Sequence, residues 1–249
     1  MSAPALECRA LSVRYGRFTA VDGFSYAFQA GGLYAVIGPN GAGKTTLMNV
    51  MVGGKRPDAG SVWLGGADVT GTGVAQRARL GLGRSFQISK IFAGMTVFEN
   101  LRLAAQALAF PLQPLWRPAS AYRQIADRAR AMLGTVGLER YAELPADKLS
   151  HGDQRALELG LALMTEPRVL LLDEPLAGVG HHDLPAAIDR LARLAEGRTV
   201  LLIEHNMSAV MRLAETVLVM VNGALIASGP PDQVRQDPAV RGAYLGAEA

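Results

Sequence analysis

Cysteine is nearly absent from this chain: Cys8 stands alone among 249 residues. No intrachain disulfide can form, so the fold rests on its core, as suits a reducing compartment, and Cys8 reads as an ordinary buried strand residue. Long apolar runs are missing too. Glu7 and Arg9 break the N-terminus before a signal-peptide core could form, and no later run is long enough to cross a bilayer, so a soluble protein is expected. Blocks of like charge are also lacking. The formal charge is +3, with Lys and Arg scattered among Asp and Glu, and nucleic acid is not expected as a partner. There is no internal repeat and no low-complexity tract. What remains is a chain long enough to bury a sizeable core, expected to form a single domain over 1–249.

Local patterning predicts an α/β fold. Residues 6–15 (LECRALSVRY) and 24–28 (FSYAF) alternate loosely between apolar and polar beside the turn pairs Asp22-Gly23 and Gly31-Gly32, which predicts antiparallel strands. LYAVI at 33–37 reads as a buried strand, 44–52 as a packed helix, and 56–66 (RPDAGSVWLGG) as a turn and a further strand of the N-terminal sheet. Segments 96–109 and 121–137 have helical periodicity around a proline-rich joint, PLQPLWRP, at 111–118. VLLLDEP (169–175) and TVLLIEH (199–205) are continuous apolar runs of the kind parallel strands carry when both faces are buried, with a helix over 185–196 between them. TVLVMVNGALIASG (216–229) predicts a hairpin turned at Asn222-Gly223. The expected division is an N-terminal β subdomain with the start of the core over 1–89, a helical subdomain over 90–150, and the rest of the core with the C-terminal hairpin over 151–249.

Between the strand at 33–37 and the helix from 44 lies GPNGAGKT, which fits G-x-x-x-x-G-K-[ST]. In such a loop the glycines let backbone N–H groups close around phosphate oxygens, and the following helix presents its positive end. Gly38, Pro39, Asn40, Gly41, Ala42, Gly43, Lys44, Thr45 and Thr46 are therefore candidate nucleotide ligands. Lys44 would reach the β- and γ-phosphates, and the Thr45 hydroxyl would bind magnesium. Asp173, at the end of the VLLL run, sits where a buried strand delivers a carboxylate to that metal, and Glu174 could polarise the attacking water. An Asp-Glu pair after a strand is by itself only a strand end; the phosphate loop gives this one its meaning. His205, ending the next apolar run, could meet the γ-phosphate or hold the attacking water, although a lone histidine at a strand end is more often structural. In a parallel sheet the C-terminal strand ends share one side, which puts Gly38, Asp173 and His205 together.

LSHGDQ at 149–154 completes a set: Tyr15, GPNGAGKT, Gln87 in GRSFQ, LSHGDQ, VLLLDEP and His205 in IEHNM. In this order and over nearly the whole chain, the sequence resembles the nucleotide-binding subunits of ATP-binding cassette (ABC) transporters, whose signature is usually LSGGQ. The resemblance implies a P-loop ATPase core with an antiparallel β subdomain and a helical subdomain. It also implies Tyr15 stacking on adenine, Gln87 touching both magnesium and the helical subdomain, and two Mg-ATP molecules sandwiched in a head-to-tail dimer. Ser150 can cap the helix beginning GDQRALELG, so that Ser150, His151, Gly152 and Asp153 would face the γ-phosphate held by the other subunit. Three positions depart from the usual pattern, the first being His151 in place of a Gly of LSGGQ. Asp153 replaces the Gln of LSGGQ, with its side chain expected to point away from phosphate, and Gly180 stands where relatives have an Asp or Asn that signals to the opposite site.

GLGRSFQISKIFAGMTVFENL (81–101), IEHNM and the terminal AYLG are similar, more narrowly, to the larger ATPase of branched-chain amino acid importers, a subfamily that also imports urea and amides. The implied function is hydrolysis of ATP on the cytoplasmic face of the inner membrane, powering uptake through a separate permease fed by an extracytoplasmic binding protein. The dimer would pair two copies or this chain with a companion ATPase. Ile88, Ile91, Phe92, Met95 and Phe98 would either line a groove for a short permease helix or form core of the helical subdomain. Two alternatives are a soluble, non-transport ATPase of the same fold, and a regulatory module that binds ATP with weak turnover, which Asp153 and Gly180 suggest.

Overall fold

A computed structural model of the chain describes residues 3–85, 91–109, 123–180 and 182–245. The first sheet is antiparallel, in the order β2-β1-β4-β5: β1 (Leu6–Tyr15), β2 (Phe18–Phe28), β4 (Ala59–Leu64) and β5 (Ala67–Asp68). The second has six strands in the order β10-β9-β3-β8-β7-β6: β3 (Leu33–Ile37), β6 (Leu82–Arg84), β7 (Val169–Asp173), β8 (Thr199–Ile203), β9 (Thr216–Val221) and β10 (Ala224–Gly229). All neighbours in it are parallel except the β9–β10 hairpin, which turns at Asn222 and Gly223 as predicted.

The predicted strands at 6–15 and 33–37 match β1 and β3, and the apolar runs at 169 and 199 become β7 and β8, with every residue of β3, β7 and β8 buried. A strand alternates faces, so β3 serves two cores at once. Tyr34 and Val36 pack with Leu47, Met48 and Met51 of helix α1 (Lys44–Met51) and with Phe24 and Phe28 of the first sheet. Ala35 and Ile37 face the opposite layer with Leu191 of α6 (Leu184–Ala195) and Val210 of α7 (Met207–Leu213).

A third core is all helical. Val97 and Leu101 of α3 (Val97–Ala109), Ala129 and Leu133 of α4 (Arg123–Val136) and Leu157 of α5 (His151–Leu163) are buried together. The start of α3 is fixed by a reciprocal cap: Thr96 Oγ1 accepts from Glu99 N at 3.1 Å, and Glu99 Oε2 accepts from Thr96 N at 2.9 Å. Both helices fall where periodicity places them. The proline-rich joint with Trp116 lies outside the described residues.

Sequence patterning missed α2 (Val74–Arg79), the edge strand β6, α7, and the two short C-terminal helices α8 (Pro231–Gln236) and α9 (Pro238–Leu245). Each of the last two begins on a proline, and Asp237 Oδ1 accepts from Ala239 N at 2.8 Å, so an N-terminal signal was present. Among the described residues no helix is long and apolar enough to cross a membrane.

Candidate functional site

The phosphate loop leaves β3 at Gly38 and enters α1 at Lys44, and two of its glycines admit no other residue. A Cβ on Gly38 (φ 152°) would lie 2.1 Å from the Met220 carbonyl oxygen, and one on Gly43 (φ 94°) 2.0 Å from that of Ala20. The loop is thus pressed against β9 and β2. It is tied by Ala42 N donating to Pro39 O at 3.2 Å and Gly223 N donating to Ala42 O at 3.1 Å. Lys44 is buried, and its Nζ donates to the carbonyls of Gly38 at 2.7 Å and Pro39 at 3.0 Å, curling over the loop. Burial pushes its pKa down, while the charges of Glu174 and Asp173 oppose that shift, so the ammonium lies within electrostatic reach of both carboxylates. Asn40, Gly41 and Thr45 are exposed, and Pro39 and Thr46 are half-buried.

Register brings the remaining groups alongside. Val36 of β3 pairs with Ile203 of β8, and Ile203 pairs with Asp173 of β7, so three neighbouring strands end at one level. Gly38 and Glu174 follow directly from the ends of β3 and β7, and His205 lies two residues beyond the end of β8, so Gly38, Asp173 and His205 share one edge as the parallel-sheet argument predicts. Asp173 is 1% exposed. Its Oδ2 accepts from Arg84 Nη2 at 3.3 Å, while its Oδ1 is buried with no hydrogen-bond partner among the described residues. Burial raises the Asp173 pKa and the nearby Arg84 guanidinium works against that.

A buried acceptor left unpaired at a strand end fits the coordination sphere of a hard divalent cation, which binds oxygen and keeps several water or phosphate ligands. Thr45, the other oxygen donor the sequence names for that cation, is exposed in the first turn of α1. Gln87 lies outside the described residues. Among those residues no group of three or more His, Cys, Asp or Glu could hold a metal by itself, which suits a cation bound jointly with phosphates.

Glu174 has a left-handed backbone (φ 50°), rare for a non-glycine residue and the kind of local strain that clusters at working sites. Its N–H donates to the Ile203 carbonyl at 2.9 Å, and its Oε1 lies 3.2 Å from Nε2 of His205. Both side chains are partly exposed, so a water molecule can reach the carboxylate that the imidazole orients.

Sequence reasoning passed over the group that ties these two loops together. Glu204 is buried and accepts from three backbone N–H groups: Leu176 at 2.9 Å and His205 at 3.1 Å, with Asn206 at 3.3 Å. It sits between Ile203 and His205, and a carboxylate interrupting an apolar run was the available signal. Replacing Glu204 with alanine leaves the buried Leu176 donor and two partly buried donors, of His205 and Asn206, without their carboxylate. A loss of about 2–4 kcal/mol in chemical denaturation is expected, together with slower turnover as Glu174 and His205 drift apart.

Two predicted elements lie apart from the loop. Ser150 caps α5 as expected, accepting from Asp153 N at 3.2 Å, and its hydroxyl donates to Asp153 Oδ2 at 2.7 Å. Asp153 thus folds onto its own helix start. Among the described residues no hydrogen bond joins 150–153 to 38–46, so these groups do not complete the loop from within one chain. Tyr15 is 51% exposed, is paired in register with the equally open Phe18, and has Lys55 Nζ 4.4 Å from its ring centroid. An open ring backed by a cation is a stacking platform. Tyr15→Ala should weaken ATP binding about tenfold, read by titration with a fluorescent nucleotide, in line with about 1–3 kcal/mol for base stacking.

Of the predicted groove residues, Phe92 is exposed, Ile91 and Phe98 pack against the helical core, Met95 is half-buried, and Ile88 lies outside the described residues.

Comparison with known proteins agrees with this geometry. Residues 21–177 match the family model described as "ABC transporter", and residues 224–249 match "Branched-chain amino acid ATP-binding cassette transporter". The chain is 39% identical over 256 residues to the high-affinity branched-chain amino acid transport ATP-binding protein BraF of Pseudomonas aeruginosa, covering 99% of each. It is 37% identical over 255 residues to LivG of Escherichia coli, described in the same terms, again covering 99% of each. The fold superposes with a TM-score of 0.85 on a nucleotide-free ATP-binding cassette from an ABC transporter, at 30% identity, covering 98% of this chain and 99% of that one.

Proposed function

Because the chain belongs to the ABC transporter family of ATP-binding cassettes, we propose that it is the ATP-hydrolysing subunit of an importer for branched-chain amino acids or a related small polar solute. The observation that carries this reading is the shared sheet edge where Lys44, Asp173, Glu174 and His205 meet, in a chain whose 224–249 segment matches the branched-chain subfamily.

In this reading the loop amides of 38–46 and Lys44 bind the β- and γ-phosphates, Tyr15 stacks on adenine, and Glu174 takes a proton from the attacking water while His205 holds that carboxylate and the γ-phosphate in place. Thr45, Asp173 and Gln87 would hold magnesium, which would supply positive charge to the phosphates. The capped start of α5, with Ser150, His151, Gly152 and Asp153, faces the nucleotide on a second ATPase subunit, so that ATP closes a dimer and hydrolysis opens it.

The subunit works at the cytoplasmic face of the membrane, bound to a permease that an extracytoplasmic binding protein serves. A groove of about 200 Å³ lined by Val52, Val74, Leu82 and Leu161, with Arg84 and Glu158, opens between the core and α5, and would take one or two side chains of a permease helix lying across it.

Steady-state hydrolysis at rising protein concentration tests the reading. Specific activity is expected to climb as dimers form. ATP binding without turnover at any concentration would favour a regulatory module instead, in which Asp153 blocks the Ser150 hydroxyl.

A further inference from the structure

We infer that Arg84 is a positioning residue for the metal-binding carboxylate: it holds one oxygen of Asp173, leaves the other to the cation, and ties that carboxylate to the phosphate-loop helix. The inference rests on the reading of Asp173 as the metal ligand. Arg84 ends β6, three residues before Gln87, and its side chain is 12% exposed. One arm of its fork, Nη1, donates to Asn49 Oδ1 on α1 at 2.5 Å, and the other, Nη2, donates to Asp173 Oδ2 at 3.3 Å. The guanidinium thus bridges the helix that follows the phosphate loop and the strand that delivers the carboxylate. It is held there by strand pairing: Arg84 pairs with Leu171, Ser85 N donates to Leu171 O at 3.0 Å, and Asp173 N donates to Ser85 Oγ at 3.4 Å.

Lys44 and Arg155 also act on the Asp173 charge through space. Lys44 donates to the carbonyls of Gly38 and Pro39, and Arg155 pairs with Glu158 at 2.9 Å. Arg84 adds a direct hydrogen bond to the Asp173 carboxylate, at 3.3 Å. A carboxylate with no exposure repels a polyphosphate strongly unless a positive charge lies against it, because little water screens it. In the absence of magnesium the positive charge hydrogen-bonded to Asp173 is Arg84, with Arg155 and Lys44 adding to it through space; a bound metal would share the task. The planar fork also fixes which carboxylate oxygen remains available, something a single ammonium does less well.

The test is nucleotide binding with magnesium and in excess EDTA, using a fluorescent ATP analogue on wild type, Arg84→Lys and Arg84→Met. For Arg84→Met the metal-free affinity should fall about tenfold while Mg-ATP affinity falls by no more than about threefold; Arg84→Lys should lie between that variant and wild type. Equal losses with and without magnesium, or no loss, would overturn the inference. Wild-type binding that ignores magnesium altogether would instead overturn Asp173 as a metal ligand. A thermal melt without nucleotide guards against a folding defect. Arg84→Met should melt lower than wild type, and adding Asp173→Asn should raise the melting temperature again by removing the uncompensated charge. A double variant that melts no higher than Arg84→Met would show that charge pairing with Asp173 is not what Arg84 does.

Discussion

Replacing Glu174 with glutamine is expected to slow ATP turnover at least about 100-fold while leaving ATP binding close to wild type, the effect of losing general-base assistance. The substitution keeps the shape of the side chain, and the backbone strain at φ 50° is unchanged because Gln meets the same steric limits. The Glu174 N–H still donates to Ile203, so β7 and β8 stay in register beside the loop. What disappears is the carboxylate charge proposed to draw a proton from water, and with it the carboxylate's contact with His205 Nε2 at 3.2 Å. Phosphate release under saturating Mg-ATP measures the first effect and equilibrium binding the second. Turnover near wild type would remove Glu174 from the role of base.

The second large effect concerns stability. Arg77 is 1% exposed, yet it has no carboxylate partner among its hydrogen bonds. Its Nη1 donates to the carbonyls of Val50 and Met51, both at 2.7 Å; Nη2 donates to Val69 at 2.7 Å and Thr70 at 3.3 Å; and Nε donates to Thr72 Oγ1 at 3.2 Å. Two of those carbonyls end α1, where helix carbonyls have no partner within the helix and the helix dipole favours a positive charge. The guanidinium therefore closes the far end of the phosphate-loop helix and fastens it to the turn after β5.

Arg77→Met would remove all five bonds and leave buried carbonyls short of donors. The expected loss is about 3–5 kcal/mol, or a melting temperature lower by roughly 10 °C for a domain of this size. Arg77→Lys should recover little, because a single ammonium cannot span acceptors spread over two segments. A lysine variant as stable as wild type would contradict the fork account.

Arg77 marks where the sequence stops being informative. Its partners are backbone carbonyls on two other segments, brought together only by tertiary packing, and no residue type announces them. The same holds for Arg84, whose neighbours Asn49 and Asp173 lie 35 and 89 positions away in the chain. β6 went unread because it is three residues long and contains Gly83, which packs against Pro167 so closely that a Cβ would lie 2.9 Å from the ring. By contrast β3, β7 and β8 were legible because strands buried on both faces need unbroken apolar runs, and the β9–β10 hairpin because Asn222-Gly223 accepts positive φ.

The placement of GPNGAGKT between β3 and α1 and of Asp173-Glu174 at the end of β7 was legible because the motif and the apolar runs fix it at the level of sequence. Ser150 was legible as a cap, and the structure adds that Asp153 takes its hydroxyl. Glu204 was visible in the string but carried no meaning until its three backbone donors were in place.

The central claim is that ATP held at this sheet edge drives a membrane partner. Its most direct test is to load tagged Glu174→Gln protein with Mg-ATP, apply it to detergent-solubilised native membranes, and identify everything retained against an ATP-free control. The account predicts ATP-dependent recovery of a polytopic permease, with or without a second ATPase. Recovery of ribosomal or nucleic-acid-associated proteins alone, with no membrane protein retained in either condition, would contradict it.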